Sequence, residues 1–514
     1  MEEKNFLFFH QFRFMAFFAV VFAIYWSLPA LARWWATRRQ RKTGLDLLPA
    51  DMAQTGHSLQ MTWLVIASCI FYMSANPLLI LFICFTASVD YLVALHLPKV
   101  TAPGRRKFWL CFSITINLSL LAFFKYINFF LLQVYNALVL FGQEGMWTLG
   151  LPQELHAVPG QRGFWDIMLP LGISFYTFET ISYIVDVYLG RIQPVKNLRD
   201  YALYIMFFPH LMAGPIVRPS EFLPQVGQRK RFDWDRFQLG LQYFLIGLFK
   251  KAVIADTVGG VVDVVFKDPA AYSSGAVWFA VLCYAVQIYG DFSGYSDMGI
   301  GLAHMLGFKL PFNFHMPYFS LNITEFWRRW HISLSSWLRD YLYIPLGGSR
   351  FGTWMTYRNL VITMFLGGLW HGASWTFIVW GLYHGVLLAL HRAIPLPKWT
   401  GQTWCKPLNV AFTFLLVCIG WVFFRATTFE TAGIVLQRMF WPTTGLAIDP
   451  LAWTLCSFLL CLVFLAHLVG TFADLKTLER RLSAPALGAC FASIILLAMV
   501  LVPVDSRGFI YFQF

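Results

Sequence analysis

The chain has 514 residues, of which 58% are hydrophobic and only 13% charged, and its mean hydropathy is +0.59. A soluble protein of this length could not cover its surface with so few polar side chains, so the composition points to an all-α polytopic membrane protein. The net charge of +13 sits mainly in short stretches between apolar segments, the positive-inside pattern of a membrane protein and not a nucleic-acid surface.

No apolar/polar alternation of period two runs through the chain, which argues against an outer-membrane barrel. Hydropathy gives roughly ten apolar segments of about 20 residues that would span or re-enter the bilayer. The nine cysteines form no Cys-x-x-Cys pair, so neither a disulfide framework nor a zinc site is indicated. One integral-membrane domain is expected over residues 1–514.

The first span is expected from Phe12 to Trp35. No small-residue cleavage site follows it, so it reads as a retained helix. Arg33, Arg38, Arg39, Arg41 and Lys42 come next and are expected in the cytoplasm, which leaves the N-terminus outside. Segments 61–74 and 77–96 form a hairpin around Asn76–Pro77, where proline ends one helix and opens the next. A long crossing, 108–140, leads to a polar outer loop from Gly142 to Gly163.

Segments 169–189 and 201–215 carry Pro170, Gly172, Glu179, Asp186, Pro209, His210, Gly214 and Pro215 within or beside apolar runs. Broken helices with polar groups are tolerated at membrane depth only against protein or a cavity, so these belong in the interior. Segments 234–265 and 277–306 form another hairpin. Asp291 and Asp297 in the second are costly in an apolar helix and should face a polar lumen or a basic partner. Segments 379–391, 410–424, 451–469 and 487–502 complete the bundle and leave the C-terminus outside.

The working part reads NITEFWRRWHISLSSWLRDYLYIPLGGSR from Asn322, then NLVITMFLGGLWHGASW up to Trp375. On a wheel of 100° per residue, Ile323, Phe326, Trp327, Trp330, Leu334, Trp337, Leu338 and Tyr341 share one stripe. Glu325, Arg328, Arg329, Ser335, Ser336, Arg339 and Asp340 take the other face. One continuous amphipathic helix is expected, capped by Asn322 with Glu325 and stopped by Pro345 and Gly347–Gly348. Its arginines make a lipid crossing unfavourable, so it should lie at the cytoplasmic interface or dip into the protein.

His331 falls at the border of the two faces; its plain alternative is a structural histidine bonded to a backbone carbonyl. For His371, a helix starting near Asn359 would place it about 18 Å deep, near the bilayer midplane. An ionisable group there is a functional candidate, the alternative being a hydrogen bond across two helices. Gly367, Gly368, Gly372, Ala373 and Ser374 would let a backbone or a substrate approach. A buried histidine suits general-base work on a hydroxyl that attacks an acyl carbon. No Gly-x-Ser-x-Gly elbow, His-Glu-x-x-His helix or phosphate loop competes with it. His384 and His391 lack a third ligand at metal spacing and are expected to be structural or interfacial.

FWRRWHISLSSWLRDYLYIPLGG and GGLWHGASWTFIVWGLYHG resemble the two signature blocks of the membrane-bound O-acyltransferase (MBOAT) superfamily, alginate O-acetyltransferase branch. LPLGISFYTFETISYIVDVY, FFPHLMAGPIVRPSEFLPQ, YGDFSGYSDMGIG, GWVFFRA and the terminal FIYFQF are similar to that branch too, with a signature core of about 170–425. The resemblance implies a ring of tilted helices with re-entrant or interfacial helices around a central tunnel. It implies His371 and His331 as catalytic residues, with no bound cofactor or metal. It implies an acyl thioester donor, acetyl-CoA or an acyl carrier, an extracytoplasmic hydroxyl acceptor, and a bacterial inner-membrane location. Periplasmic SGNH-type transferases and exopolysaccharide machinery are the partners it implies.

On that reading His371 activates the hydroxyl, and His331 positions or polarises the donor carbonyl. Arg328, Arg329 and Arg339 would pair with donor phosphates or, alternatively, with anionic headgroups. Trp327, Trp370 and Ser335 are further candidates for substrate contact. A longer N-terminal loop, Arg38–Gln60, and a longer outer loop, Gly142–Gly163, depart from the branch and leave the partners open. D-alanyl transfer to a cell-wall polymer is the enzymatic alternative; a transporter or a silent scaffold is the non-enzymatic one.

Overall fold

In the computed structural model the described residues are 6–43, 49–142, 170–212, 214–395, 402–472 and scattered positions between 485 and 496. Among them the structure is helical, with a single isolated β-bridge between Tyr272 and Leu446. Six helices are long and apolar enough to cross a membrane: Phe12–Lys42, Pro77–Lys99, Pro103–Leu140, Ser274–Met305, Thr403–Arg425 and Pro450–Thr471. The chain is a multi-pass, all-α membrane protein. Among the described residues fewer helices meet this measure than the roughly ten apolar segments expected over the chain; the last of those segments lies mostly outside them, and others, such as 169–189 and 201–215, are broken or polar. The loop from Gly142 to Gly163, apart from its first residue, and most of segment 487–502 lie outside the described residues.

The described residues form two compact units. The first comprises residues 1–7, 17–212 and 218–230. Its helices are α1 (Phe12–Thr43, from Phe17 onward), α2 (Pro49–Met73), α3 (Ile80–His96), α4 (Pro103–Leu140), α5 (Ile173–Tyr188), α6 (Leu198–Met206), α7 (Phe208–Leu211) and α8 (Pro219–Val226). Most of Arg38–Gln60 is thus helix and not loop. Asn76 ends the α2 side of the first hairpin: its side chain accepts from the Leu78 amide at 2.9 Å, ahead of a turn led by Pro77.

Polar groups at depth in this unit are matched to one another. Asp90 on α3 is buried and accepts from Asn117 Nδ2 at 3.0 and 2.9 Å and from the Ser113 hydroxyl. Thr180 of α5 donates to Asn117 Oδ1 at 3.0 Å. Buried His210 lies 3.0 Å from Glu179 through Nδ1, so the proline-broken segments do occupy the interior. Gly172 is left-handed (φ 68°), and a Cβ there would stand 2.3 Å from the Leu211 carbonyl oxygen. Only glycine meets both conditions.

The second unit comprises residues 8–16, 213–217 and 231–514. It holds α9 (Trp234–Leu248), α10 (Asp256–Lys267), α11 (Ser274–Met305), α12 (Ile323–Arg329), α13 (Ile332–Leu338), α14 (Thr353–His371), α15 (Trp375–Ala393), α16 (Lys406–Arg425), α17 (Phe429–Phe440) and α18 (Pro450–Phe472). A π-helical stretch, Phe249–Ala255, joins α9 to α10. Helix α11 is the core of the unit, with nearly every side chain buried.

Glycines bring α9 and α11 together. A Cβ on Gly247 would lie 2.4 Å from the Gly294 carbonyl oxygen, and one on Gly240 2.7 Å from that of Gly301. The two aspartates of α11 find basic partners, the second of the two environments expected for them. Lys251 is buried between Asp291 (2.6 Å) and Asp256 (2.7 Å), and Lys250 bonds Asp297 at 2.6 Å. Removing Lys251 would leave two buried carboxylates without their cation, at a cost of about 3–5 kcal/mol.

Candidate active site

Helix α12 starts where the cap signal lies. Asn322 Oδ1 accepts from the Glu325 amide at 2.9 Å, and Glu325 Oε2 accepts in return from the Leu321 amide at 2.8 Å. Seven residues later the helix stops. Trp330 is extended (φ −99°, ψ 129°) and His331 is left-handed (φ 43°, ψ 56°), after which α13 resumes at Ile332.

The continuous amphipathic helix expected over this stretch is therefore two helices with His331 at the break. The segment before α12 holds the break open. The His315 amide donates to the Arg329 carbonyl, and the Ile332 amide to the Asn313 carbonyl, both at 2.9 Å. Those two bonds satisfy backbone groups that a continuous helix would pair internally. A left-handed non-glycine residue costs about 1–2 kcal/mol, so the surroundings must impose it.

His331 does not sit at the helix border; it is fully buried. The apolar stripe survives the break because each short helix turns the same kind of face inward. Ile323, Phe326, Trp327, Trp330, Leu334, Trp337 and Leu338 are all buried. Opposite them, Arg328 and Arg339 are exposed, and Arg329 pairs with Glu325 at 2.5 Å. Arg339 pairs with neighbouring Asp340 at 2.7 Å.

His371 is the last residue of α14. That helix begins at Thr353, six residues before the expected start, and ends at His371, which stands at the tip of the α14–α15 hairpin. The stop and restart are local: Gly372 is extended, and Ser374 caps α15 by accepting from the Thr376 amide at 3.3 Å. The small residues serve helix packing. A Cβ on Gly368 would meet the Phe377 carbonyl oxygen at 2.3 Å, and one on Gly381 the Met364 carbonyl oxygen at 2.4 Å.

The His371 ring is buried against aromatic edges and faces: Trp370 and Trp380 with centroids at 4.9 Å, and Phe424 at 5.0 Å. Trp370 also meets His331, at 6.2 Å. One indole is thus in ring contact with both candidate histidines. The structure brings together His331, at the α12–α13 break, and Trp370 and His371, at the end of α14, although the two histidines are 40 residues apart.

The remaining candidates part company. Trp327 packs on Trp380 at 5.7 Å and on His384 at 5.2 Å. Ser335 gives its hydroxyl to the Trp330 carbonyl at 3.2 Å, bracing the broken turn. His384 is wholly buried in this aromatic layer, and Gly420 makes room for it, since a Cβ there would stand 2.7 Å from Nε2. His391 Nδ1 lies 3.0 Å from the Thr324 hydroxyl. Asn313, Trp380 and Phe424 line the two histidines but are not among the candidate site residues of the sequence reading. The clue for Asn313 was an amide set between apolar residues in LPFNFHMP.

The family model described as MBOAT, membrane-bound O-acyltransferase family, matches residues 191–400, which contain Asn313, His331, Trp370 and His371. A probable alginate O-acetylase of Pseudomonas aeruginosa is 42% identical over 389 residues, 75% of this chain and 71% of that protein. The chain belongs to this O-acyltransferase family. Within it, the chain falls with the alginate O-acetylase-like branch. A probable alginate O-acetylase of Pseudomonas putida is 46% identical over 342 residues, 66% of each chain, so the match spans just under two thirds of that relative's length. A peptidoglycan O-acetyltransferase of Helicobacter pylori is 40% identical over 408 residues, 73% of each chain.

Proposed function

We propose that this MBOAT-family protein transfers an acyl group, acetyl in the first instance, from a cytoplasmic thioester for O-acetylation of an extracytoplasmic polysaccharide. The observation that carries the reading is the placement of two buried histidines against one buried indole. Buried imidazoles in water-poor surroundings suit proton transfer at a hydroxyl. His371 takes the proton of the acceptor hydroxyl as its oxygen bonds to the acyl carbon. The carbon–sulfur bond breaks, and the departing thiolate receives the proton. His331 orients the reactants on the same path. The names of the relatives, acetylases of alginate and of peptidoglycan, support acetyl and polysaccharide.

Exposed Arg328 is the cation best placed to meet donor phosphates, since Arg329 and Arg339 are engaged with carboxylates. Acetyl-CoA or an acyl carrier supplies the thioester, and no bound cofactor is required. On this reading the protein sits in the inner membrane with both termini outside and works with a periplasmic SGNH-type transferase and the exopolysaccharide machinery. Membrane vesicles carrying the protein test the reaction: thioester loss from acetyl-CoA should depend on the protein and fall at least ~100-fold in His371→Ala. Equal loss with and without the protein would sink the reading.

A further inference from the structure

Asn313 is buried, and its amide can be oriented from its neighbours. The Ser333 amide, 3.2 Å away, can only donate, so the side-chain atom facing it is the oxygen. The amide nitrogen then faces the Ser296 hydroxyl on α11 at 3.3 Å. The same oxygen lies 2.9 Å from the Ser333 hydroxyl and 3.1 Å from Nδ1 of His331. An acceptor at that distance calls for the proton on Nδ1. In the neutral ring the lone pair is then on Nε2. That nitrogen is buried and, among the described residues, has no hydrogen-bond partner. The ring neighbours of His331 are Phe292 at 4.5 Å and Phe314 at 6.4 Å, which carry no donor, and Trp370 at 6.2 Å, whose indole N–H makes no hydrogen bond to Nε2.

We propose that Asn313 is a positioning residue that fixes His331 in its Nδ1–H form and presents the Nε2 lone pair to a hydroxyl of the acceptor. This rests on the reading of His331 and His371 as one reaction path. It gives His331 the task of accepting a hydrogen bond and not of polarising a carbonyl, which would need a proton on Nε2. A sugar unit carries neighbouring hydroxyls, so one can be held at His331 while another gives its proton at His371.

The test uses membrane vesicles with the full-length protein at matched abundance, acetyl-CoA as donor and the cells' own exopolysaccharide as acceptor. Asn313→Leu, of similar size but without an acceptor, should lower the acetylation rate about 30–100-fold, the scale of a misplaced catalytic group. Ser333→Ala loses the hydroxyl's bonds to the Asn313 oxygen and from the Ile216 amide but leaves that oxygen on the Ser333 amide and on Nδ1 of His331, so the rate should stay within about threefold. Asn313→Asp should retain activity near neutral pH but lose it at a higher pH on the acid side than the parent, since a carboxylate beside Nδ1–H favours the charged ring. A parental rate in Asn313→Leu, an equal loss in Ser333→Ala, or an unshifted acid limb in Asn313→Asp would overturn the proposal. His331→Ala separates the two levels. If it loses activity while Asn313→Leu does not, only the role of Asn313 fails; if it keeps the parental rate, the underlying path fails as well. Should Asn313→Leu not reach matched abundance, the acid limb of Asn313→Asp decides alone.

Discussion

The rings of His371 and Trp380 meet edge to face, with centroids 4.9 Å apart and planes at 90°. His371 ends α14 and Trp380 lies on α15, so the contact crosses the hairpin and depends on how closely the two helices approach. That approach is set by Gly368 and Gly381, whose Cα positions leave no room for a Cβ. Gly381→Ala should separate the helices at the tip and displace His371. An activity loss of about 100-fold is expected, the effect of a misplacement near 1 Å, with the protein still present in the membrane. Acetylation per unit of membrane protein measures it, and a parental rate would show that the hairpin does not position the histidine.

Trp370 touches both histidines, so its size should matter more than its indole nitrogen. Trp370→Phe is expected to keep activity within about tenfold, and Trp370→Ala to lose about 100-fold or more by leaving a void between them. Rates in the same vesicles check the order. Equal rates for the two variants would contradict a spacer role.

The left-handed backbone at His331 gives a stability expectation separate from activity. Glycine adopts φ 43° freely and alanine does not, so His331→Gly should be more stable than His331→Ala by about 1 kcal/mol. Both variants should be inactive. Thermal unfolding of the detergent-solubilised proteins reads the difference; a lower melting temperature for the glycine variant would mean that the break is not strained.

Lys251 holds two carboxylates in the core of the second unit. Lys251→Met should cost about 3–5 kcal/mol, and adding Asp291→Asn should recover part of it by removing one stranded charge. The folded fraction after solubilisation checks both. A Lys251→Met protein as stable as the parent would show that the ions are dispensable.

Much of this was legible in the residues. Apolar length announced the helices, Asn76–Pro77 and Asn322 with Glu325 marked their ends, and the expense of Asp291 and Asp297 in an apolar helix called for the lysines that bind them. The break at His331 was not legible. The 100° pattern runs through it undisturbed, because the cause is tertiary: backbone bonds from His315 and to Asn313, distant in the local pattern, outweigh helix propensity. The end of α14 was written in Gly372 and Ser374, but their smallness suggested close approach before it suggested a stop. Asn313 escaped notice because an amide's role depends on which donors surround it, and spacing does not reveal that.

The central claim is that His371 removes the acceptor's proton. The most direct measurement is O-acetyl content of the exopolysaccharide from cells whose only copy is His371→Ala, His371→Gln or the parent, at equal membrane abundance. Both variants are expected to drop to the level of cells lacking the protein, since glutamine fills the space without supplying a base. Parental acetylation in either variant would contradict the account.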